Sequence, residues 1–433
     1  MRTLLAEQGI DLAGGSGPDL TISSGDEMLD FVVASHDGDR EQAVFDYFQT
    51  GTSIARSLIE LLRWRFGDPR QPDKVLDFAS GYGRSTRFLL RELPAERVWV
   101  SDVYAGAVRF QQERFGVHGI VSTVRPEEFR CGETFDAIFV VSLFTHLPEE
   151  RFVAWLRVLR GLLAPGGMLV FSVHDQSLRP PGTELPPAGL LFQEYSESGS
   201  LSTSDYGSTW VSEKFVEEAW HRAAGAESSL RRLPYGLCNY QDLYVAVAEA
   251  GVDFSTLAYR GDPYLFVEHC YFAAPDLLEV SGWAASLRPT GLREVQVVLD
   301  GEVLASLPIN QPRTDVAAQL GEGVSSAGWG GPCALPRGAS RSTSLFCLRV
   351  IDDRGAAHLA SAGSLETALL AAARREAKYL RDELERAEVR AAHAALDAEA
   401  LAARIAAMQA SRFWKLRNHW FRLKRLLGMA VEV

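Results

Sequence analysis

The stretch from Val75 to Arg84 constrains the fold more than any other part of the chain. Val75-Leu76-Asp77-Phe78 is a short apolar strand carrying an acid near its end, and Ala79-Ser80-Gly81-Tyr82-Gly83 is a turn of small residues. Ser85-Thr86-Arg87-Phe88-Leu89-Leu90 then reads as a helix. A strand, a glycine turn and a helix together let backbone approach a ligand closely, and they open a doubly wound α/β sheet. The alternation continues downstream. Residues 98–102 form a strand ending in a second acid, 105–115 a helix, 135–141 a buried strand and 149–163 an amphipathic helix. Pro165-Gly166-Gly167 then turns the chain into a strand at 168–173. Strands and helices at this spacing imply a parallel sheet covered on both faces. Upstream, Val44, Tyr47, Phe48, Ile54, Leu58, Leu61 and Leu62 give 41–66 a helical period. A helix at 212–224 and strands near 228–233 and 243–248 complete a domain over 41–254. Residues 1–40, rich in Gly, Asp and Ser, read as a loose lead-in.

The acid precedes the glycines, which disfavours a pyrophosphate and favours a ligand with a positive group. S-adenosylmethionine, with its amine and sulfonium, is such a ligand. Asp102 ends the next strand, where a carboxylate can accept hydrogen bonds from a ribose diol. A dinucleotide site would want glycines at G-x-G-x-x-G spacing, which is absent.

With these residues in place, 41–250 resembles the class I S-adenosylmethionine-dependent methyltransferases. The family's first motif reads acid-x-Gly-x-Gly-x-Gly, and here Ala79 stands at the first glycine. The resemblance implies an α/β fold with a Rossmann-like seven-stranded sheet and S-adenosylmethionine as cofactor. It places Ala79, Ser80, Gly81 and Gly83 against the methionine portion, Asp77 on the amine, and Asp102 with Val103 at the ribose. It also implies that the helix carrying Tyr47 closes over the cofactor and that Ser142 faces it.

Ser142-Leu143-Phe144-Thr145-His146 follows the fourth strand, where such sheets place their sites. His146 is a candidate base on an acceptor hydroxyl, since imidazole titrates near neutrality; a helix-capping role is its structural alternative. His174, at the end of the fifth strand, is the second candidate. In-line displacement of a methyl group from a cationic leaving group rests largely on positioning, and no metal cluster is read. No Asn/Asp-Pro-Pro-Tyr/Phe motif is present, so an oxygen acceptor is favoured. Glu194, Tyr195, Tyr206 and Gln241 lie in polar and aromatic clusters suited to a sugar ring.

The character of the chain changes after about 255. Strand-like runs at 265–272, 278–283, 295–299, 303–306 and 345–350, separated by Gly and Asp turns, predict a small all-β sandwich over 255–362. Residues 364–410 hold an apolar heptad register for six repeats, from Leu370 and Ala373 to Ile405 and Met408, which predicts a long helix in a coiled coil and a homo-oligomer. Residues 411–428 carry six cations and no acid, with Phe413, Leu416, Trp420, Leu423 and Leu427 on one helical face. The whole chain is −12, so the remainder is −18 (−12 minus +6). That asymmetry marks an interfacial helix for anionic lipid over 411–433, and the acidic remainder argues against nucleic acid.

This order of parts is similar in plan to polysaccharide chain-terminating methyltransferases. The resemblance implies an O-methyltransferase acting on a sugar hydroxyl of a bacterial surface polysaccharide or its lipid-linked precursor, with a glycosyltransferase as a partner. It implies a cytoplasmic enzyme held at the inner face of the plasma membrane. Five cysteines without a CxxC pair agree with a reducing compartment. The alternatives are a methyltransferase for a small secondary metabolite and a non-catalytic scaffold for glycosyltransferases.

Overall fold

The computed structural model describes residues 17–195, 200–225 and 228–427. Its centre is one large sheet. In chain order the elements are α1 Glu27–Ser35, α2 Arg40–Phe66, β1 Val75–Phe78, α3 Thr86–Leu89, β2 Val98–Asp102, α4 Ala105–Phe115 and β3 His118–Val121. Next come β4 Phe135–Val140, α5 Glu149–Gly161, β5 Leu163–Asp175, β6 Leu190–Gln193, β7 Ser208–Val211, α6 Glu213–Ala224, β8 Ser229–Leu237 and β9 Gln241–Val247. Strands β3-β2-β1-β4-β5 are parallel neighbours. β9 adds antiparallel to β5, and β8 adds to β9.

Among the described residues the sheet has nine strands, where seven were expected. The 13-residue β5 changes partner along its length: Met168–Val173 pair with β9, while His174 and Asp175 pair with β7, which in turn pairs with β6. The short runs around Leu191 and Trp210, which flank the polar and aromatic clusters of Glu194, Tyr195 and Tyr206, close into this extra ribbon.

Both sheet faces are apolar, as a doubly covered parallel sheet requires. Side chains alternate between two cores. Val75, Val100, Phe139 and Val170 pack on the α2 side with Leu58, Leu61 and Leu62. Leu76, Ile138, Leu169 and Phe171 pack against α5 and α6 through Trp155, Leu156, Phe215 and Trp220. β1 lies between β2 and β4, so the chain leaves it in opposite directions and a crevice opens beyond the carboxyl ends of β1 and β4.

Of the expected lead-in over 1–40, residues 1–16 lie outside the described residues, and 17–40 are more ordered than their composition suggests. Asp26 caps α1 by accepting from Met28 N at 3.1 Å, and the Arg87 guanidinium donates to the carbonyls of Asp19 and Thr21 at 2.9 Å each. The same guanidinium donates to Gly83 O and Tyr82 O. This buried arginine is satisfied by four carbonyls, and it ties the lead-in to the glycine turn.

After the sheet come β10 Tyr264–Ala274, β11 Leu277–Ala285, β12 Leu292–Leu299, β13 Glu302–Pro308, α7 Thr314–Leu320, β14 Gly328–Ala334, β15 Leu345–Asp352 and β16 Ala357–Ser364. They form two antiparallel sheets, β10-β11-β14 and β13-β12-β15-β16. The second sheet is tied to α2 by Gln42 Nε2 donating to Ala362 O at 3.0 Å and Gln49 Nε2 to Leu359 O at 3.2 Å.

α8 Leu365–Ala410 is an unbroken helix of 46 residues, about 69 Å at ~1.5 Å per residue. Residues from 370 onward form a unit of their own. Within it the seam residues Leu370, Leu380, Leu384, Leu401, Ile405 and Met408 are exposed. Ser411 breaks the helix with an extended ψ of 150° and caps α9 Arg412–Leu426, accepting from Trp414 N at 3.2 Å. Residues 428–433 of the expected tail lie outside the described residues.

Candidate active site

The crevice beyond β1 and β4 is a cleft of about 470 Å³, within the range of small-molecule sites. Asp77, Ala79, Ser80 and Gly81 line it from the first turn, Asp102 and Val103 from the end of β2, and Ser142 and His146 from the segment after β4. Tyr47 enters from α2 and Tyr206 from the segment before β7.

The first turn holds its shape through positive-φ residues and side-chain staples. Ala79 sits at φ 58° and Gly81 at φ 55°. A Cβ at Gly81 would meet no protein atom within 4 Å and would project into free space. Gln111 of α4, fully buried, donates from Nε2 to Ser80 Oγ and Gly81 O, both at 2.8 Å. Asp102 accepts Gly81 N on Oδ2 at 2.8 Å and Tyr104 N on Oδ1 at 2.9 Å. The carboxylate expected at the ribose therefore also braces the turn. Burial pushes its pKa up, against the pull of these donors.

Gly83 differs from the role expected for it. It does not line the cleft; a Cβ there would meet Phe115 Cε2 at 2.5 Å and Gln111 Oε1 at 2.6 Å. It is a close-packing position for α4 at φ 76°. Gly83→Ala is expected to cost about 2–4 kcal/mol, from overpacking together with a strained backbone, measured by urea denaturation. Gly81→Ala should cost about 1 kcal/mol, because only the backbone is strained, yet weaken ligand binding.

Asp77 is 2% exposed and accepts Thr86 Oγ1 at 2.7 Å and Ser85 Oγ at 3.5 Å. Burial raises its pKa to about 6 despite these donors. A desolvated carboxylate without a cation is costly in the free protein and well suited to an incoming amine. Ser142, at φ 63°, is held by Ser172 Oγ accepting from its N at 2.8 Å.

His146 is buried against the cleft. Its Nδ1 donates to Gly207 O at 2.7 Å, because a carbonyl can only accept. Nε2 is thereby left as the bare acceptor. Burial holds its pKa below the ordinary histidine range, so it is neutral at pH 7. The Tyr206 ring stacks on it at 4.3 Å and 16°. Gly207 N donates back to His146 O at 2.8 Å. Gly207 must lack a side chain, since a Cβ would collide with Gln193 O and the Phe192 ring.

Besides Gly83, four candidates fall outside the cleft. His174 lies where β5 passes to β7, packed near Trp210 and Tyr240, with its pKa pushed down to about 4 by burial. Glu194 and Tyr195 are exposed at the end of β6. Gln241 works one layer back, its amide exchanging hydrogen bonds with Ser142 Oγ at 3.0 and 3.2 Å. The sequence reading missed Asp26, Arg84 and Gln111, whose contacts cross between distant segments.

Residues 75–167 match the model of a family described as a methyltransferase domain. An S-adenosylmethionine-dependent methyltransferase from Clostridium acetobutylicum is similar in structure, with 13% identity and a TM-score of 0.33, covering 46% of this chain and 92% of that one. Streptomyces venezuelae DesVI has 16% identity and a TM-score of 0.36 over 50% and 97%. CalS10, an amino pentose methyltransferase from Micromonospora echinaspora, has 16% identity and a TM-score of 0.33 over 44% and 89%. No curated protein matches the sequence. Residues 75–167 thus carry a match to a methyltransferase domain, and they build the parallel β3-β2-β1-β4 part of the sheet up to the start of β5.

Proposed function

We propose that this S-adenosylmethionine-dependent methyltransferase acts on a sugar hydroxyl of a surface polysaccharide or its lipid-linked precursor. The observation that carries the reading is His146: a neutral imidazole at the cleft with Nε2 bare and the Tyr206 ring beside it. The cofactor supplies an electrophilic methyl on a sulfonium, displaced in line by the acceptor oxygen. Asp77 would hold the amine, and Asp102 would accept from the ribose hydroxyls. His146 Nε2 accepts the hydroxyl proton as the oxygen attacks, and Gly207 O steadies the resulting imidazolium through Nδ1–H. Tyr206 offers an aromatic wall for a sugar ring. The residues present therefore fit the cofactor, and the bare Nε2 beside the Tyr206 ring supports a hydroxylated acceptor.

The C-terminal parts support placement at a membrane. No described helix is long and apolar enough to cross one. α9 instead presents Phe413, Leu416, Trp420 and Leu423 exposed on one face, with Arg417 over the Trp414 and Phe421 rings at 4.8 Å each. The exposed α8 seam supports self-association, and the two antiparallel sheets, as a sandwich, would contact glycan or a glycosyltransferase.

Two experiments test this reading. Methyl-labelled cofactor and a lipid-linked oligosaccharide acceptor should give an O-methyl sugar by NMR; labelling of nitrogen, or only of a small non-sugar metabolite, sinks it. Deleting 411–433 should release the protein from phosphatidylglycerol vesicles in a flotation assay. A truncated chain that still floats removes the membrane role from the tail.

A further inference from the structure

Two arginines of the first turn approach the Tyr47 ring, Arg84 at 5.9 Å and Arg87 at 6.0 Å, and they are handled in opposite ways. Arg87 is buried and its donors are spent on four carbonyls. Arg84 is half-buried and lines the cleft, and among the described residues no hydrogen bond or ion pair engages its guanidinium. Its backbone is seated tightly. Gly51 of α2 lies so close to Arg84 O that a Cβ would collide with it. Tyr47, one turn earlier on α2, then offers its ring to the guanidinium, and the Tyr47 hydroxyl is fixed by donating to Asp26 Oδ2 at 2.5 Å. The position of Arg84 is therefore built, while its charge is left uncommitted.

A guanidinium partly stripped of water in a cleft is matched by a carboxylate or phosphate, which its planar fork engages through two parallel hydrogen bonds. On the same turn Asp77 is a buried carboxylate waiting for a cation. One acid and one base bordering a single cleft complement the two ends of an α-amino acid. We propose that Arg84 binds the carboxylate of the cofactor's methionine portion, opposite the amine held by Asp77. This rests on the cofactor reading given above. The other source of such an anion is an acidic group on the acceptor, and the test separates the two.

Calorimetric titration of S-adenosylhomocysteine and of 5′-methylthioadenosine, which lacks both amine and carboxylate, into wild type, Arg84→Gln and Arg84→Lys is the measurement. Arg84→Gln should weaken S-adenosylhomocysteine by roughly 10- to 100-fold and leave methylthioadenosine within about twofold, with lysine recovering part of the loss. Decarboxylated S-adenosylmethionine should bind wild type and Arg84→Gln alike. Unchanged S-adenosylhomocysteine affinity with a raised acceptor KM moves the anion to the acceptor and overturns the assignment. Equal weakening of all three ligands also overturns it, as a general disturbance of the turn. Failure of the wild type to bind S-adenosylhomocysteine overturns the cofactor reading itself.

Discussion

Asp77→Asn is expected to weaken S-adenosylhomocysteine binding roughly 10- to 100-fold while making the ligand-free enzyme more stable at pH 7. Both effects come from one buried charge. The pKa of Asp77 is raised to about 6 in the folded chain from an ordinary 3.8. At pH 7 the group is ionised in both folded and unfolded states, and the folded state carries the desolvation cost. As pH falls through 6 the folded carboxyl takes a proton before the unfolded one does. Stability from this group therefore rises between about pH 6 and 4. Binding runs the other way: the amine needs the ionised carboxylate, so affinity should fall up to about tenfold per unit below pH 6. Calorimetry at pH 5 and 7 together with thermal melts checks both signs. Asparagine should flatten the pH dependence; an unchanged profile means Asp77 does not meet the amine.

The second large effect concerns His146. His146→Ala should lower kcat by about 10²- to 10³-fold, the usual worth of a positioned general base, with KM for the cofactor nearly unchanged. Burial depresses the pKa of His146, so protonation shuts the base off only on the acid side, below the ordinary histidine range. Measured as kcat at saturating cofactor, the acid limb of the wild type should disappear in the alanine variant. That choice of parameter keeps it apart from the Asp77 effect, which acts on binding. His174→Ala, by contrast, should leave the shape of the pH profile intact, since its ring lies outside the cleft. An alanine variant of His146 that keeps wild-type kcat would reduce the residue to a loop brace.

The order of elements through the parallel sheet was legible because strand, turn and helix signals there are local. Val75 to Gly83 announces a crevice, and Asp102 announces its second wall, within 28 residues of chain. What stayed hidden depends on contacts between distant segments. Asp26 and the carbonyls of Asp19 and Thr21 reach the first turn through Tyr47 and Arg87, partners some 20 to 70 positions away that no periodicity marks. Gln111 looks like an ordinary polar helix residue until the fold buries it against Ser80 and Gly81. His174 misled for a topological reason. A strand end normally faces the crevice, but β5 runs on past that level to pair with β7. Gly83 misled because the family motif groups its glycines as ligand-facing, while packing against Phe115 explains this one alone.

Gly207 marks where the segment after Gln193 rejoins the sheet, and it is locked to His146 in both directions, N to O and O to Nδ1. On the Gly207 side this anchor is main chain alone, so it asks nothing of a side chain at that position. Exchanges between Gln193 and Asp205 should therefore leave the tautomer of the imidazole in place, since its Nδ1 partner is a main-chain carbonyl. Selectivity is thus free to drift in one segment while reactivity is inherited through another, and grafting that segment between relatives is the natural route to re-targeting this enzyme.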